Sequence, residues 1–129
     1  MYDEPVILIV DDSELLLERI RLRLEEAGYR VITTTRTVGA ARHLLTARLG
    51  IIDWHMPGIS GVEVLQSFRA ATAASAQRPL FYLYTSDASV AGSGKGLGFD
   101  GTFINKGNED SLVRQVKAAF LITKVRARG

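Results

Sequence analysis

A doubly wound α/β domain, with a parallel sheet between two layers of helices, is the fold this sequence predicts. Three observations carry the prediction. Strand-like and helix-like segments alternate five times along the chain, the order that parallel strands need for their crossovers. The opening segment VILIV has no polar residue, as a strand covered on both faces requires. The chain has 129 residues, enough for one domain with its own core and too few for two of ordinary size.

Val6 to Val10 is the first strand. Ser13 is placed to cap the helix that follows. There Leu16, Leu17, Ile20, Leu24 and Ala27 recur at helical spacing, with Glu14, Glu18, Arg21, Arg23 and Glu25 mostly on other faces. Gly28 stops that helix. Tyr29 to Thr34 reads as the second strand, and Thr37 to Ala47 as the second helix, with Val38, Ala41, Leu44 and Leu45 inward. Leu49 to Ile52 is a short third strand ending at Asp53, and Pro57-Gly58 marks a loop. Gly61 to Ala71 is the third helix, with Val62, Leu65 and Phe68 on one side. The small residues from Ala70 to Gln77 extend its end into a loop. Pro79 to Tyr84 is the fourth strand and Thr102 to Ile104 a short fifth. Between them, SDASVAGSGKGLGFDG should hold a fourth helix, yet it carries five glycines within ten residues. Each interior glycine costs a helix about 1 kcal/mol, so a short or mobile helix is expected. Asn108 to about Lys124 is the last helix, with Leu112, Val116, Ala119 and Phe120 facing in, and residues 125 to 129 form a frayed tail.

Composition narrows the function classes. Apolar residues make up 47% of the chain, which argues against disorder. Sixteen basic residues against 14 acidic ones leave a net charge of +2, a weak signal for nucleic acid. The absence of Cys excludes disulfides and thiolate metal sites and suits a reducing compartment. No apolar stretch approaches the length of a membrane span, and the short acidic start Met1-Tyr2-Asp3-Glu4-Pro5 is no signal peptide. A cytoplasmic domain is the expectation.

In a parallel sheet of this kind every strand points its C-terminus to the same edge, where ligands bind. The first strand ends at Asp11-Asp12, the third at Asp53, the fourth at Thr85, and the fifth just before Lys106. Three carboxylates, a hydroxyl and an ammonium therefore converge on one rim. Adjacent carboxylates repel, and burying them is costly without a positive partner. Hard oxygen ligands with open positions for water suit Mg²⁺. Taken singly, each of these residues is more often a solvated turn, a cap or a surface charge; the set in one order carries the reading. Two acids after the first strand also exclude a flavin phosphate from that loop. GSGKG lacks the four-residue gap and the following Ser or Thr of a nucleotide phosphate loop.

Four stretches, ILIVDDSE, IIDWHMPGISGVEVL, YTS and FINKG, make the chain resemble the receiver domain of two-component response regulators of the chemotaxis-regulator type, from about Pro5 to Lys124. The resemblance implies a flavodoxin-like fold of five parallel strands in the order 2-1-3-4-5 with five flanking helices. It implies that Asp53 is the phosphoacceptor, charged by a histidine kinase or a histidine phosphotransfer protein. Mg²⁺ would be held by Asp12 and Asp53 directly, by Asp11 through water, and by the main-chain carbonyl of His55. Lys106 and Thr85 would contact phosphoryl oxygens, Thr85 and Phe103 would form the switch that alters binding of a downstream protein, and the side chains of His55 and Asp87 would tune phosphoryl lifetime.

The chain departs from the family pattern at Gly107, where a proline with a cis peptide bond is usual, and in its glycine-rich fourth helix. The reading is a signalling switch rather than an enzyme, since it mediates only its own phosphorylation and dephosphorylation. Aspartate-nucleophile phosphatases usually carry a second acid two residues on, where this chain has His55, and no cap insertion encloses a substrate. A phosphorylation-independent interaction module with the same fold is the alternative. No direct nucleic-acid contact and no membrane span are expected.

Overall fold

The computed structural model describes residues 5–56, 58–74 and 78–128; the acidic start, Pro57, residues 75–77 and Gly129 lie outside them. Five strands form one parallel sheet: β1 (Val6–Val10), β2 (Arg30–Thr34), β3 (Leu49–Asp53), β4 (Leu80–Tyr84) and β5 (Gly101–Phe103). Their order is β2-β1-β3-β4-β5, as the resemblance implies. The helices are α1 (Glu14–Glu26), α2 (Gly61–Thr72), α3 (Ala88–Ala91) and α4 (Glu109–Arg128).

The two faces of β1 sort the core into two layers, because alternate side chains of a strand point to opposite sides. Ile7 and Ile9 pack with Leu17, Ile20 and Leu24 of α1 and with Leu112, Val116 and Ala119 of α4. Leu8 and Val10 pack with Val64, Leu65 and Phe68 of α2. Ser13 caps α1, its Oγ accepting the Leu16 N–H at 3.2 Å. Gly28 takes φ +100° just beyond the helix, and Tyr29 N–H turns back to the Leu24 carbonyl at 3.1 Å. α1 is tied to the start of α4 by ion pairs Arg19–Glu109, at 2.6 Å, and Arg23–Asp110.

The second helix departs from expectation. Instead of an α-helix over 37–47, Ala40–Leu45 forms a 3-10 helix entered through Gly39 at φ +80°. An α-helix cannot run through a left-handed residue, so Thr37 and Val38 are left outside it. Three residues per turn then bring Ala41, Leu44 and Ala47 to one side. Leu44 and Ala47 are buried, whereas Val38 and Leu45, expected inward, are 91% and 64% exposed.

Smaller corrections have similar local causes. In α2 the buried stripe is Val64, Leu65, Phe68 and Thr72, with Val62 half-buried. The helix start is fixed by Gly61, where a Cβ would lie 3.1 Å from the Asp53 carbonyl oxygen. β5 begins at Gly101 and releases Ile104, because the Tyr82 ring lies across Gly101 where a side chain would otherwise stand. Ile104 is held instead by Gln115, whose side chain bonds both its N–H and its C=O at 2.9 Å. α4 continues to Arg128, beyond the expected end at Lys124. The glycine-rich segment behaves as expected: α3 has four residues and is followed by a single 3-10 turn, Lys95–Leu97. No helix among the described residues is long and apolar enough to cross a membrane.

Gly50, in the centre of β3, tests how tightly the α2 layer is packed. A Cβ there would lie 2.9 Å from a ring carbon of Phe81, itself 1% exposed and without room to turn. Gly50→Ala should destabilise the domain by about 1–3 kcal/mol, read as a lower urea midpoint at unchanged slope.

Candidate functional site

The C-terminal ends of β1, β3 and β4 form one rim. Register places Asp53 beside Tyr84, and Tyr84 beside Phe103. Asp11 leaves β1 buried, at 2% exposure, and Asp53 ends β3 at 3%; Asp12 faces solvent. One oxygen of Asp11 accepts the Ser13 N–H at 3.0 Å, so the residue that opens the pocket also shapes the turn into α1. Its other oxygen lies 2.9 Å from Lys106 Nζ. The same ammonium donates to Asp53 Oδ1 at 2.6 Å. Lys106 therefore bridges the two buried carboxylates, and its side chain is 18% exposed.

This geometry supplies the missing positive charge from the chain itself. Burial pulls the Lys106 ammonium towards neutrality, but hydrogen bonds and attraction from Asp11 and Asp53 outweigh that, and its pKa is raised above the ordinary lysine value. One carboxylate oxygen each from Asp11, Asp12 and Asp53 lies within 4.8 Å of the others. That is a spacing and a donor set that a hard divalent cation fits, with Asp12 on the open side where water can complete the shell.

The remaining predicted residues fall around this core. Thr85 follows β4 and is buried, and its Oγ1 accepts the Asp87 N–H at 3.0 Å. Asp87 is the N-cap of α3: its Oδ1 accepts from Ser89 N–H at 3.0 Å and from the Ser89 hydroxyl at 2.6 Å. Phe103 is 2% exposed and stacks on Tyr82 with ring centroids 4.4 Å apart. The backbone of His55 pairs with Ser60 in a two-residue ribbon between β3 and α2; its side chain lies outside the described residues, as does Pro57 of the central motif. No peptide bond among the described residues is cis, so Lys106–Gly107 is trans, with Gly107 at φ +98°.

Two contributors are not among the residues the sequence singles out. Tyr84, readable there as one more apolar strand residue, accepts the Gly107 N–H on its hydroxyl at 3.2 Å. Arg19, on the solvent side of α1, reaches the Gly107 carbonyl at 3.4 Å. Arg19 has no motif to mark it, and Tyr84, although it opens the YTS stretch, stands in a strand with two other aromatic residues, so its hydroxyl is the one available signal.

Comparison with known proteins agrees with this geometry. The family model for the response regulator receiver domain matches residues 7–117. The chain belongs to the response regulator receiver family. It is 29% identical over 117 residues to the phosphate regulon transcriptional regulatory protein PhoB of Rhizobium meliloti, covering 88% of this chain and 51% of that protein. It is 33% identical over 66 residues to the transcriptional regulatory protein KdpE of Mycobacterium tuberculosis, covering 50% of this chain and 29% of that protein. The chain thus spans about half or less of the curated relatives it matches. Among solved structures, the Thermotoga maritima response regulator TrrA in complex with Mg²⁺ and beryllofluoride has a TM-score of 0.71 at 28% identity, covering 88% of this chain and 97% of that one. The chemotaxis response regulator CheY4 of Vibrio cholerae has a TM-score of 0.73 at 24% identity, covering 90% of this chain and 98% of that one, and shares the fold.

Removing the bridging ammonium leaves two buried carboxylates without their countercharge. Lys106→Met should lower metal-free stability at pH 7 by about 2 kcal/mol, a buried-pair loss reduced for the partial exposure of the lysine. Because the folded pKa is raised, this contribution is complete below the ordinary lysine pKa and is lost as pH rises through the folded value. Denaturation midpoints of wild type and variant should therefore differ by a constant amount from pH 7 to 9 and converge only at higher pH.

Proposed function

We propose that the chain is a phosphorylatable switch in which Asp53 accepts a phosphoryl group from a histidine kinase or a histidine phosphotransfer protein. The observation that carries this reading is the buried Asp53 carboxylate held 2.6 Å from Lys106 with two further acids beside it. A carboxylate oxygen of Asp53 attacks phosphorus, the bond from phosphorus to the donor imidazole nitrogen breaks, and its electron pair leaves on that nitrogen. Asp12 and Asp53, Asp11 through water, and the main-chain carbonyl of His55 would hold Mg²⁺. The ion supplies charge neutralisation of the phosphoryl oxygens. Lys106 gives up part of its pairing with Asp53 to take a phosphoryl oxygen, and Thr85 donates its hydroxyl to another. Thr85 is bonded to the N–H of the α3 cap, so its displacement reaches α3, while Phe103 completes the switch on β5. His55 and Asp87 flank the approach of an attacking water and set the lifetime of the acyl phosphate.

The role is that of a signalling switch acting on a downstream protein, without turnover of a separate substrate, in the cytoplasm. The curated relatives are transcriptional regulatory proteins by name; a regulatory output of that kind is the setting in which this domain would act, with no nucleic-acid contact of its own.

Trp54 adjoins Asp53 and is the single tryptophan of the chain, so its fluorescence reports on the pocket. Mg²⁺ should quench it saturably, and a small phosphodonor or beryllofluoride should change it further. Asp53→Asn, nearly isosteric, should abolish the second change and all acid-labile phosphate incorporation. Asp12→Asn should weaken Mg²⁺ binding at least tenfold while leaving metal-free stability within about 0.5 kcal/mol, since its charge is exposed. A folded wild type that responds to neither Mg²⁺ nor phosphodonor would favour the phosphorylation-independent module, with Lys106 as a permanent countercharge.

A further inference from the structure

Lys106 occupies an unusual stretch of backbone. It stands between two left-handed residues, Asn105 at φ +60° and Gly107 at φ +98°, in a turn closed by Asn108 N–H to the Asn105 carbonyl at 2.9 Å. A Cβ at Gly107 would meet nothing within 4 Å, so side-chain packing does not hold that residue. Glycine adds further backbone freedom. The position of the lysine therefore depends on anchors outside the turn.

One anchor is buried. Tyr84 is 1% exposed and lies in register between Asp53 and Phe103. With Ile51 of β3, it belongs to the core layer facing α1 and α4. Its hydroxyl accepts the Gly107 N–H at 3.2 Å, and its ring centroid lies 5.9 Å from Lys106 Nζ. The other side of Gly107 is met by Arg19, an exposed side chain at 3.4 Å. A rigid, two-torsion aromatic rooted in the central sheet fixes a partner better than a long guanidinium in solvent.

We propose that Tyr84 is the positioning residue for Lys106: its buried hydroxyl holds the peptide that follows the lysine, and so sets where the ammonium stands relative to Asp53. This deepens the phosphoacceptor reading of Asp53 and rests on it for its functional consequence. The contact couples β4, the strand that leads into Thr85, to the lysine loop through one hydrogen bond. Displacement of either would be felt by the other.

Tyr84→Phe removes the hydroxyl and keeps the ring. Gly107 is exposed, so water can take up its freed N–H and the variant folds. Two readouts test the proposal. In metal-free protein, the side-chain ¹⁵N signal of Lys106, held by two carboxylates, should stand apart from those of the other lysines. In Tyr84→Phe it should move towards them. With a small phosphodonor and Mg²⁺, the phosphorylation rate should fall three- to tenfold in Tyr84→Phe with Mg²⁺ affinity not weakened, because Asp53 ends β3 and Asp11 and Asp12 follow β1. In a Lys106→Ala background, Tyr84→Phe should have no further effect, since the residue it positions is gone. An unchanged Lys106 signal and rate, an equal fall in both backgrounds, or a parallel loss of Mg²⁺ affinity would each overturn the assignment. If wild type takes no phosphoryl group but Tyr84→Phe still shifts the Lys106 signal, the phosphoacceptor reading fails and the positioning role stands.

Discussion

The bridge from Lys106 to Asp53 and Asp11 is the constraint on which this structure turns. Two carboxylates at 3% exposure or less cannot both stay charged beside each other in a low-dielectric pocket without a cation. The ammonium meets that need at 2.6 and 2.9 Å. It comes from a residue more than fifty positions downstream of Asp53, so compensation is possible only because β5 returns to the same edge as β1 and β3. Parallel topology and site chemistry are therefore one requirement. An antiparallel β5 would deliver the lysine to the opposite edge and leave the acids unpaired.

The same bridge explains how a pocket with the proposed reactivity can still fold. In the proposed switch, a divalent cation held by these acids would add neutralisation beside Asp12, the exposed one of the three. The lysine adds it from the β5 side. Two such sources of positive charge would leave the Asp53 carboxylate compensated if either one shifted. As proposed, Lys106 would then exchange a carboxylate oxygen for a phosphoryl oxygen without leaving a buried charge bare, which would cost several kcal/mol.

How much of this the sequence shows depends on which physics decided each element. β1 is legible because an uninterrupted apolar run has one good solution, a strand covered on both faces. Asp11, Asp12, Asp53 and Lys106 are legible because strand ends in a parallel sheet share an edge, so order along the chain becomes proximity in space. The segment 37–47 is misread because apolar spacing alone cannot reveal that Gly39 adopts φ +80°; the left-handed residue delays the helix and the winding tightens to three per turn, exposing Val38 and Leu45. In α2, Leu65 and Phe68 face in as expected, but at the helix start Val64 rather than Val62 is the buried residue, where Gly61 approaches the Asp53 carbonyl closely. Tyr84 opens the YTS stretch but draws no role of its own from the sequence, because its ring satisfies the apolar pattern of β4 and its hydroxyl meets Gly107 only in the folded chain.

The two halves of the expected switch differ in how easily they can move. Phe103 is already buried, stacked on Tyr82 over the space that Gly101 leaves open. Turning it out would expose most of an aromatic side chain and break the stack, a cost of about 2–4 kcal/mol. α3 has four residues and an Asp87 cap, too short to be cooperative on its own. It is followed by a glycine-rich stretch that holds only a single 3-10 turn. Thr85 is bonded to the N–H of that cap at 3.0 Å. A pull on the Thr85 hydroxyl therefore meets little resistance at α3 and much at Phe103. The glycines that weaken the fourth helix place the soft side of the molecule next to Thr85, the proposed phosphoryl contact, while the aromatic pair stiffens the β4–β5 side from which Lys106 comes.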